Sequence, residues 1–365
     1  MIVEGKYGEA IIYNDNAEEG VVTQVKELLD TKLAEDAHIR IMPDCHQGAG
    51  CVIGTTMKIT DKVCPNLTGV DIGCGVLAVN LGGLGFNIPY LDDFIHVKVP
   101  HGFAIHDKIK DVDKEYTQHL YDSLACKDVI DNEKFHKSVG TLGGGNHFIE
   151  FAEDEQGDNW LLVHSGSRNS GLRVAQHYQQ LAVQECSDDV SKDLAYLEAN
   201  NDSFHNYLSD VKIMSEYANL NRMHIASQII YFLDAPYIVE SFDTVHNYID
   251  DNILRKGAVK ANERFVVPLN MADGTLICRG KHNDEWNGSS PHGAGRVYSR
   301  SKAKKELSMG EFQSRMENVY STCVCEETLD ESPMAYKDGN EIMELITPTA
   351  EIVTKLRPFY NFKAK

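Results

Sequence analysis

No stretch of this sequence approaches the roughly 18–20 consecutive apolar residues that a membrane-spanning helix needs. The first residues, Met1-Ile2-Val3-Glu4-Gly5-Lys6, lack the charged-then-apolar pattern of a secretory signal. A disulfide framework is missing too. Nine cysteines is an odd number, and they are scattered without regular spacing, which points to reduced thiols and a cytoplasmic setting with no membrane partner. Cys323 and Cys325 have no second pair near them to complete a zinc cage, and they read as ordinary strand or loop residues. Positive charge is scarce: the formal net charge is −20. That opposes loose, charge-driven binding to nucleic acid, which requires clustered Lys and Arg, while leaving room for a local basic groove. No repeat, low-complexity segment or Pro/Ser linker divides the 365 residues. A single domain over 1–365 is therefore expected, and 42% apolar and 25% charged residues suit a soluble globular protein.

What the chain does have is a set of glycine-rich loops, each carrying a polar group beside an apolar run. The heptapeptide Gly69-Val70-Asp71-Ile72-Gly73-Cys74-Gly75 places a carboxylate and a thiol three residues apart before the strand-like Val76–Leu81. A carboxylate oxygen and a thiolate sulfur suit a divalent metal. Upstream, Asn14-Asp15-Asn16 should cap a helix with Val21, Val25, Leu28 and Leu29 on its apolar face. A strand from His38 runs into Pro43-Asp44-Cys45-His46-Gln47-Gly48, where Asp44 and His46 could be metal ligands or hydrogen-bonding partners of ligands. A polar-faced helix is expected over 111–138, and it leads to Gly143-Gly144-Gly145-Asn146-His147-Phe148-Ile149-Glu150. The run Trp160–Val163 ends in His164-Ser165-Gly166-Ser167-Arg168, an anion-friendly loop.

Helices are expected over Val174 to about Asn200 and over Phe204–Leu233. In the second, Leu208, Val211, Ala218, Ile225, Ile229 and Phe232 mark one face, while His205 and His224 read as structural. A further β-type run ends at Val245-His246-Asn247, and strands are expected over Arg264–Leu269 and Gly274–Arg279. His292-Gly293-Ala294-Gly295-Arg296 then opens the most basic stretch, with Arg300, Lys302, Lys304 and Lys305, read as a phosphate-facing surface. The C-terminal segment is aromatic and apolar enough to dock. Strands and long helices alternate without a regular βαβ pattern, so the expected class is α+β, with mixed β-sheets at the core flanked by helices.

Asp71, Cys74, His147, His164 and His246 offer mixed O, S and N donors, more than one tetrahedral zinc needs. They suit two metals sharing the Cys74 thiolate, an arrangement typical of phosphoryl and nucleotidyl transfer. His292, in its own glycine-flanked loop, is then free to attack an activated phosphate.

In these motifs the sequence resembles the RtcB family of RNA-splicing ligases. The resemblance rests on G-V-D-I-G-C-G (69–75), G-G-G-N-H-F-I-E (143–150), H-S-G-S-R (164–168), V-H-N (245–247), H-G-A-G-R (292–296), A-Y-K-D (335–338) and the terminal L-R-P-x-x-x-x-K (356–363). It implies an RtcB-like fold and a GTP- and manganese-dependent ligase joining an RNA 3′-phosphate or 2′,3′-cyclic phosphate to a 5′-hydroxyl, in RNA repair or tRNA splicing, with an accessory activator protein as a further partner. By that resemblance His292 carries GMP. Two manganese ions, or zinc as a thiolate would favour, are held by Asp71 and His147 on one side and His164 and His246 on the other, with Cys74 between. Nucleotide contacts would come from Asn146, His147, Phe148, Glu150, Asn247, Asn270, Met271, Gly293, Ala294, Gly295 and Tyr336, with Lys363 reaching the guanine. The chain reads as a shorter, divergent member: where the family commonly has G-S-M-G-T, Asn270 replaces the serine and Asp273 adds an acid. The alternative reading is a metal-dependent phosphoesterase acting on RNA ends or nucleotides, which would need the five ligands but neither His292 nor Lys363.

Overall fold

The computed structural model describes residues 1–110 and 114–364. Two large sheets organise it. One has seven strands, in the order Glu240–Val245, Gly75–Asn80, Asn159–Ser165, Phe148–Glu153, Ala350–Lys363, Gly274–Gly280 and Arg264–Asn270, and every neighbouring pair is antiparallel. The other has six, in the order Ile2–Glu4, Glu9–Ile12, Ile39–His46, Ile53–Lys58, Ile253–Lys256 and Asn247–Asp250. It is mixed, because Glu9–Ile12 runs parallel to Ile39–His46. Together with the flanking helices this is an α+β architecture.

The period of two along each strand explains why the seven-stranded sheet is central. Leu77, Val79, Ile149, Phe151, Leu161 and Val163 pack into one apolar cluster with Ile95 and Ile225 from two helices. Their alternates Val76, Ala78, Phe148, Ala152, Trp160 and Leu162 pack on the other face against Val266, Ile277 and Leu356 of the same sheet. The sheet curls until its outer strands approach: the Val266 N–H donates to Thr244 Oγ1 at 3.1 Å, and Arg264 pairs with Glu240. Strands buried on both faces need continuous apolar runs, which is what Trp160–Val163 and Val76–Leu81 supply.

Several sequence expectations shift in the structure. The first helix, Glu19–Leu29, buries Val21, Val25, Leu28 and Leu29 but has no side-chain cap. Asn14 instead holds the backbone N–H of Asn16 and donates to the Pro43 carbonyl. The helix expected over 111–138 is broken into Lys114–Ser123 and Asn132–Lys137, because the buried Asp210 carboxylate takes the backbone N–H groups of Ala125 and Cys126; residues 111–113 of that expectation lie outside the described residues. The next helix begins earlier and ends earlier than expected, at Arg168–Glu185. Asp188 then pairs with Lys32 and Tyr196, pinning the following segment as a loop. The long helix is Asp202–Phe232. The C-terminal segment does more than dock: Ala350–Lys363 is an interior strand of the seven-stranded sheet.

Candidate metal and nucleotide site

The strand register brings four of the five proposed ligands to one end of the seven-stranded sheet. Gly75 lies opposite both Val245 and Ser165, and Phe148 opposite His164. Cys74, His147, His164 and His246 therefore leave or enter their strands on the same rim. His246 also joins the two large sheets, since Val245 ends a strand of one and Asn247 begins a strand of the other. Its backbone is fixed from both sides, its N–H donating to the Cys74 carbonyl at 2.9 Å and its carbonyl accepting from Gly257 N–H at 2.8 Å. This close approach depends on Gly75, where a Cβ would lie 2.4 Å from the Thr244 carbonyl oxygen.

The donor atoms converge. Cys74 Sγ lies 3.4 Å from His147 Nε2 and 3.3 Å from His164 Nε2, and His147 Nε2 lies 2.9 Å from Asp71 Oδ2. Two triads, Cys74/His164/His246 and Asp71/Cys74/His147, each bring their donor atoms within 4.8 Å of one another, and they share the thiol. The Nδ1 atoms of His147 and His164 face the backbone carbonyls of Leu142 (2.8 Å) and Asn146 (3.1 Å). A carbonyl only accepts, so Nδ1 carries a proton in both rings; His164 Nε2 then presents its lone pair, the tautomer of a metal-binding imidazole, while His147 Nε2 donates to Asp71 and would give up that proton to a metal. Burial, reinforced by neighbouring cations, holds His164 and His246 well below the ordinary histidine range and therefore neutral. Burial and the Asp71 charge push the Cys74 thiol well above its usual value. Asp71 stays below the usual carboxylate range: burial opposes this, but the His147 hydrogen bond and charge and the Arg168 charge prevail. Protons now bridge these donors, and divalent cations could replace them, so the O, S and N set fits a pair of divalent ions.

The nucleophile proposed from the sequence lies next to this cluster. The His292 ring centroid is 4.9 Å from that of His246, and its Nδ1 is 2.8 Å from Oδ2 of the fully buried Asp44. The same Oδ2 accepts from the backbone N–H groups of His292 (3.2 Å) and Gly293 (3.3 Å). Asp44 therefore fastens the His292 loop through its backbone and sets a carboxylate beside the ring, although Nδ1 lies outside hydrogen-bond geometry with it. The loop fits over Asp44 only because residue 295 is glycine, with φ of 73° and a Cβ position 2.1 Å from the Asp44 carbonyl oxygen. His46 stands outside the metal triads and is held neutral, its pKa lowered to about 4 by burial.

The nucleotide contacts proposed from the sequence divide into two groups. Phe148, Glu150, Asn361 and Lys363 share one face of paired strands, and Lys363 Nζ lies 5.3 Å from the centre of the Phe148 ring. Glu150 accepts from Asn361 (2.8 Å) and Thr275 (3.2 Å), and burial pushes its pKa to about 7 against both bonds. Lys363 Nζ donates to the Asn146 carbonyl, and Tyr336 Oη lies 2.6 Å from the Glu331 carboxylate that Lys363 also meets. The others are engaged elsewhere. The Asn247 side chain braces the Asp71 carbonyl and the Gly257 N–H. Asn270 closes its own turn by accepting from Ala272 and Asp273 N–H and donating to Asp273. Met271 is buried against Phe312 and Met316, and Ala294 packs in a separate apolar cluster.

The structure also corrects the basic stretch and adds residues that were not singled out. Arg296, Arg300 and Lys304 pair with Asp330 and Glu331, while Arg300 and Lys304 stay about half exposed, so the basic surface is partly neutralised. Behind the metal rim, Asn221 and Arg222 of the long helix fasten the loops. Asn221 bonds the backbone of Gly140, Thr141 and Gly166; Arg222 bonds the carbonyls of Gly73 and Ser165 and pairs with Asp243. Two adjacent polar residues on an apolar helix face were the available signal.

A family model described as "tRNA-splicing ligase RtcB" matches residues 24–364. The chain is 33% identical to the RNA-splicing ligase RtcB of Escherichia coli K12, over 88% of each chain. It is 26% identical to the tRNA-splicing ligase RtcB of Nanoarchaeum equitans, over 88% of this chain and 87% of that one. It is 25% identical to the RNA-splicing ligase RtcB homolog 2 of Entamoeba dispar, over 88% and 80% respectively.

Proposed function

This chain belongs to the tRNA-splicing ligase RtcB family and is an RNA ligase; on that premise we propose that it seals RNA 3′-phosphate to 5′-hydroxyl ends through a guanylated His292. The observation that carries the nucleotidyl-transfer step is the His292–Asp44 pair set against His246 at the metal rim. With the Asp44 carboxylate beside Nδ1 to stabilise positive charge on the ring, the Nε2 lone pair attacks the α-phosphorus of GTP; a P–N bond forms, the P–O bond to the β-phosphate breaks, and pyrophosphate leaves. An oxygen of the RNA 3′-phosphate then attacks that phosphorus and returns the electron pair to His292. The 5′-hydroxyl attacks the activated 3′-phosphate, loses its proton and releases GMP. A 2′,3′-cyclic end enters the same route after water opens it. Divalent ions held by Asp71, His147, His164 and His246, with Cys74 shared, would supply the positive charge that stabilises these transitions. Manganese is the ion proposed; a thiolate with imidazoles also suits zinc.

Lys363 and Tyr336, beside Phe148 and Glu150, are the proposed guanine side of the pocket. Nine free cysteines fit a reducing cytoplasm, and no helix among the described residues is long and apolar enough to cross a membrane. The test is incubation with manganese and GTP radiolabelled at the α-phosphate, followed by a denaturing gel. Wild type should carry an acid-labile label that His292→Ala lacks. Metal-dependent phosphoester hydrolysis with no label on the protein would replace the ligase mechanism with a hydrolytic one.

A further inference from the structure

Resting on that reading, we propose that Glu331 is the positioning residue that sets nucleobase discrimination, acting through Lys363. Its carboxylate is the hub of the charged cluster beside the metal rim. Oε1 receives Arg296 Nη1 at 3.3 Å and Arg300 Nη1 at 2.5 Å; Oε2 receives Tyr336 Oη at 2.6 Å and Lys363 Nζ at 3.0 Å. These donors come from three separate segments: the loop and helix after His292, the 335–338 motif and the final strand. The Glu331 side chain is 3% exposed and Lys363 5%. Burial opposes its charge, yet Lys363, Arg300 and Arg296 hold its pKa down at about 2, so the carboxylate is ionised at any working pH.

The discrimination follows from counting donors. A lysine ammonium has three N–H bonds on a flexible four-carbon stem, so alone it is a poor reader of one atom. Here one N–H is committed to Glu331 and a second to the Asn146 carbonyl at 3.3 Å, while the ammonium sits 5.3 Å from the centre of the Phe148 ring. One donor remains, with its direction set by the other two. Guanine offers a carbonyl acceptor at O6, whereas adenine offers an amino donor at the same place. A fixed donor bonds the first and is left unpaired by the second, the kind of contrast that separates close analogues most strongly. Released from Glu331, the ammonium can swing to other acceptors and the contrast shrinks.

The experiment measures enzyme–GMP against enzyme–AMP formation with α-labelled GTP and ATP. Wild type, Glu331→Gln, Lys363→Gln and the double variant are compared. Glu331→Gln should lower the GTP-over-ATP ratio by about tenfold or more, raising KM for GTP more than it lowers kcat. Because the single change leaves buried cations unmatched and can destabilise the fold, the double variant, which removes one charge of each sign, is the deciding one. If Glu331 works through Lys363, the double has the same ratio as Lys363→Gln alone. A ratio unchanged in Glu331→Gln, or a further fall in the double, overturns the proposal. A wild type that forms neither adduct overturns the ligase mechanism beneath it instead.

Discussion

Two charged regions flank His292, and they are built on opposite rules. At the metal rim, Asp71, Cys74 and three histidines aim donor atoms at shared points, while His147 and His164 turn Nδ1 outward to backbone carbonyls. In the cluster around Glu331, four cations (Arg296, Arg300, Lys304 and Lys363) share the two carboxylates of Asp330 and Glu331, leaving two positive charges over. The first region is built to receive cations, and the second carries surplus positive charge suited to an anion. An RNA phosphate or nucleotide lying between them would meet metal charge on one side and fixed guanidinium and ammonium groups on the other. The overall charge of −20 says nothing against this, because the local balance sets the field in a cleft.

The largest effect on this contrast should come from the one atom both triads share. Cys74→Ala removes the bridging donor and leaves a small apolar side chain in a buried position. Bound divalent metal, counted by elemental analysis of the purified protein, should fall from two ions per chain to one or none. RNA ligation should fall roughly a thousandfold or more, because stabilisation of the transferring phosphate is lost. Retention of two ions would show that the rim is not organised around the thiol, and the contrast between the regions would fail.

How much of this was legible from sequence differs between the two regions for a physical reason. The rim is written locally: each ligand stands within a glycine-rich loop or at the end of a strand-like run, as at Cys74-Gly75 and Val163-His164. Antiparallel register converts such strand-end positions into proximity. The charged cluster is written in pairs far apart in the chain. Arg296 and Lys363 stood out as cations, but Glu331 sits in the unremarkable Thr328-Leu329-Asp330-Glu331, in a 3₁₀ segment whose burial no periodicity announces. Reading the basic stretch as a phosphate-facing surface leaves out its paired carboxylates, because the sequence displays one partner and not the other. Asn270 and Met271 show what position in a loop leaves unstated: one side chain closes its own turn and the other enters a core. The helix breaks near 124 and 186 were hidden likewise, since Asp210 and Lys32, which hold those segments, lie distant in sequence.

A smaller effect sharpens the comparison at Glu150, a buried carboxyl matched by dipoles rather than by charge. Its pKa is raised to about 7 from the ordinary 4.5, so the folded state binds a proton that the unfolded state gives up across that window. Its contribution to stability is therefore full below about pH 4.5 and is lost as pH rises through 7. Glu150→Gln removes the titration while keeping an amide able to pair with Asn361 and Thr275. Between pH 5 and pH 8 wild type should lose on the order of 2 kcal/mol relative to the variant, read as a gap in denaturation midpoints that opens with pH. A gap that stays constant would mean the carboxyl is already ionised in the fold, and Glu150 would then belong with Glu331 among the charge-matched acids.

The smallest effect is expected at the outer edge of the charged cluster. Lys304 is 49% exposed and lies 3.3 Å from Asp330, which keeps Arg300 at 2.7 Å as a second partner. Lys304→Met leaves that carboxylate paired, so stability should change by less than about 0.5 kcal/mol. Removing one of the two surplus charges should nevertheless register with a polyanion. Affinity for a 3′-phosphorylated RNA should fall by about two- to threefold at moderate salt, and the slope of log affinity against log salt should flatten by roughly one unit or less. An unchanged slope would place the RNA away from this face and leave the surplus charge to the nucleotide alone. The two arms separate cleanly because a nucleotide effect would appear in guanylation without RNA, and an RNA effect would not.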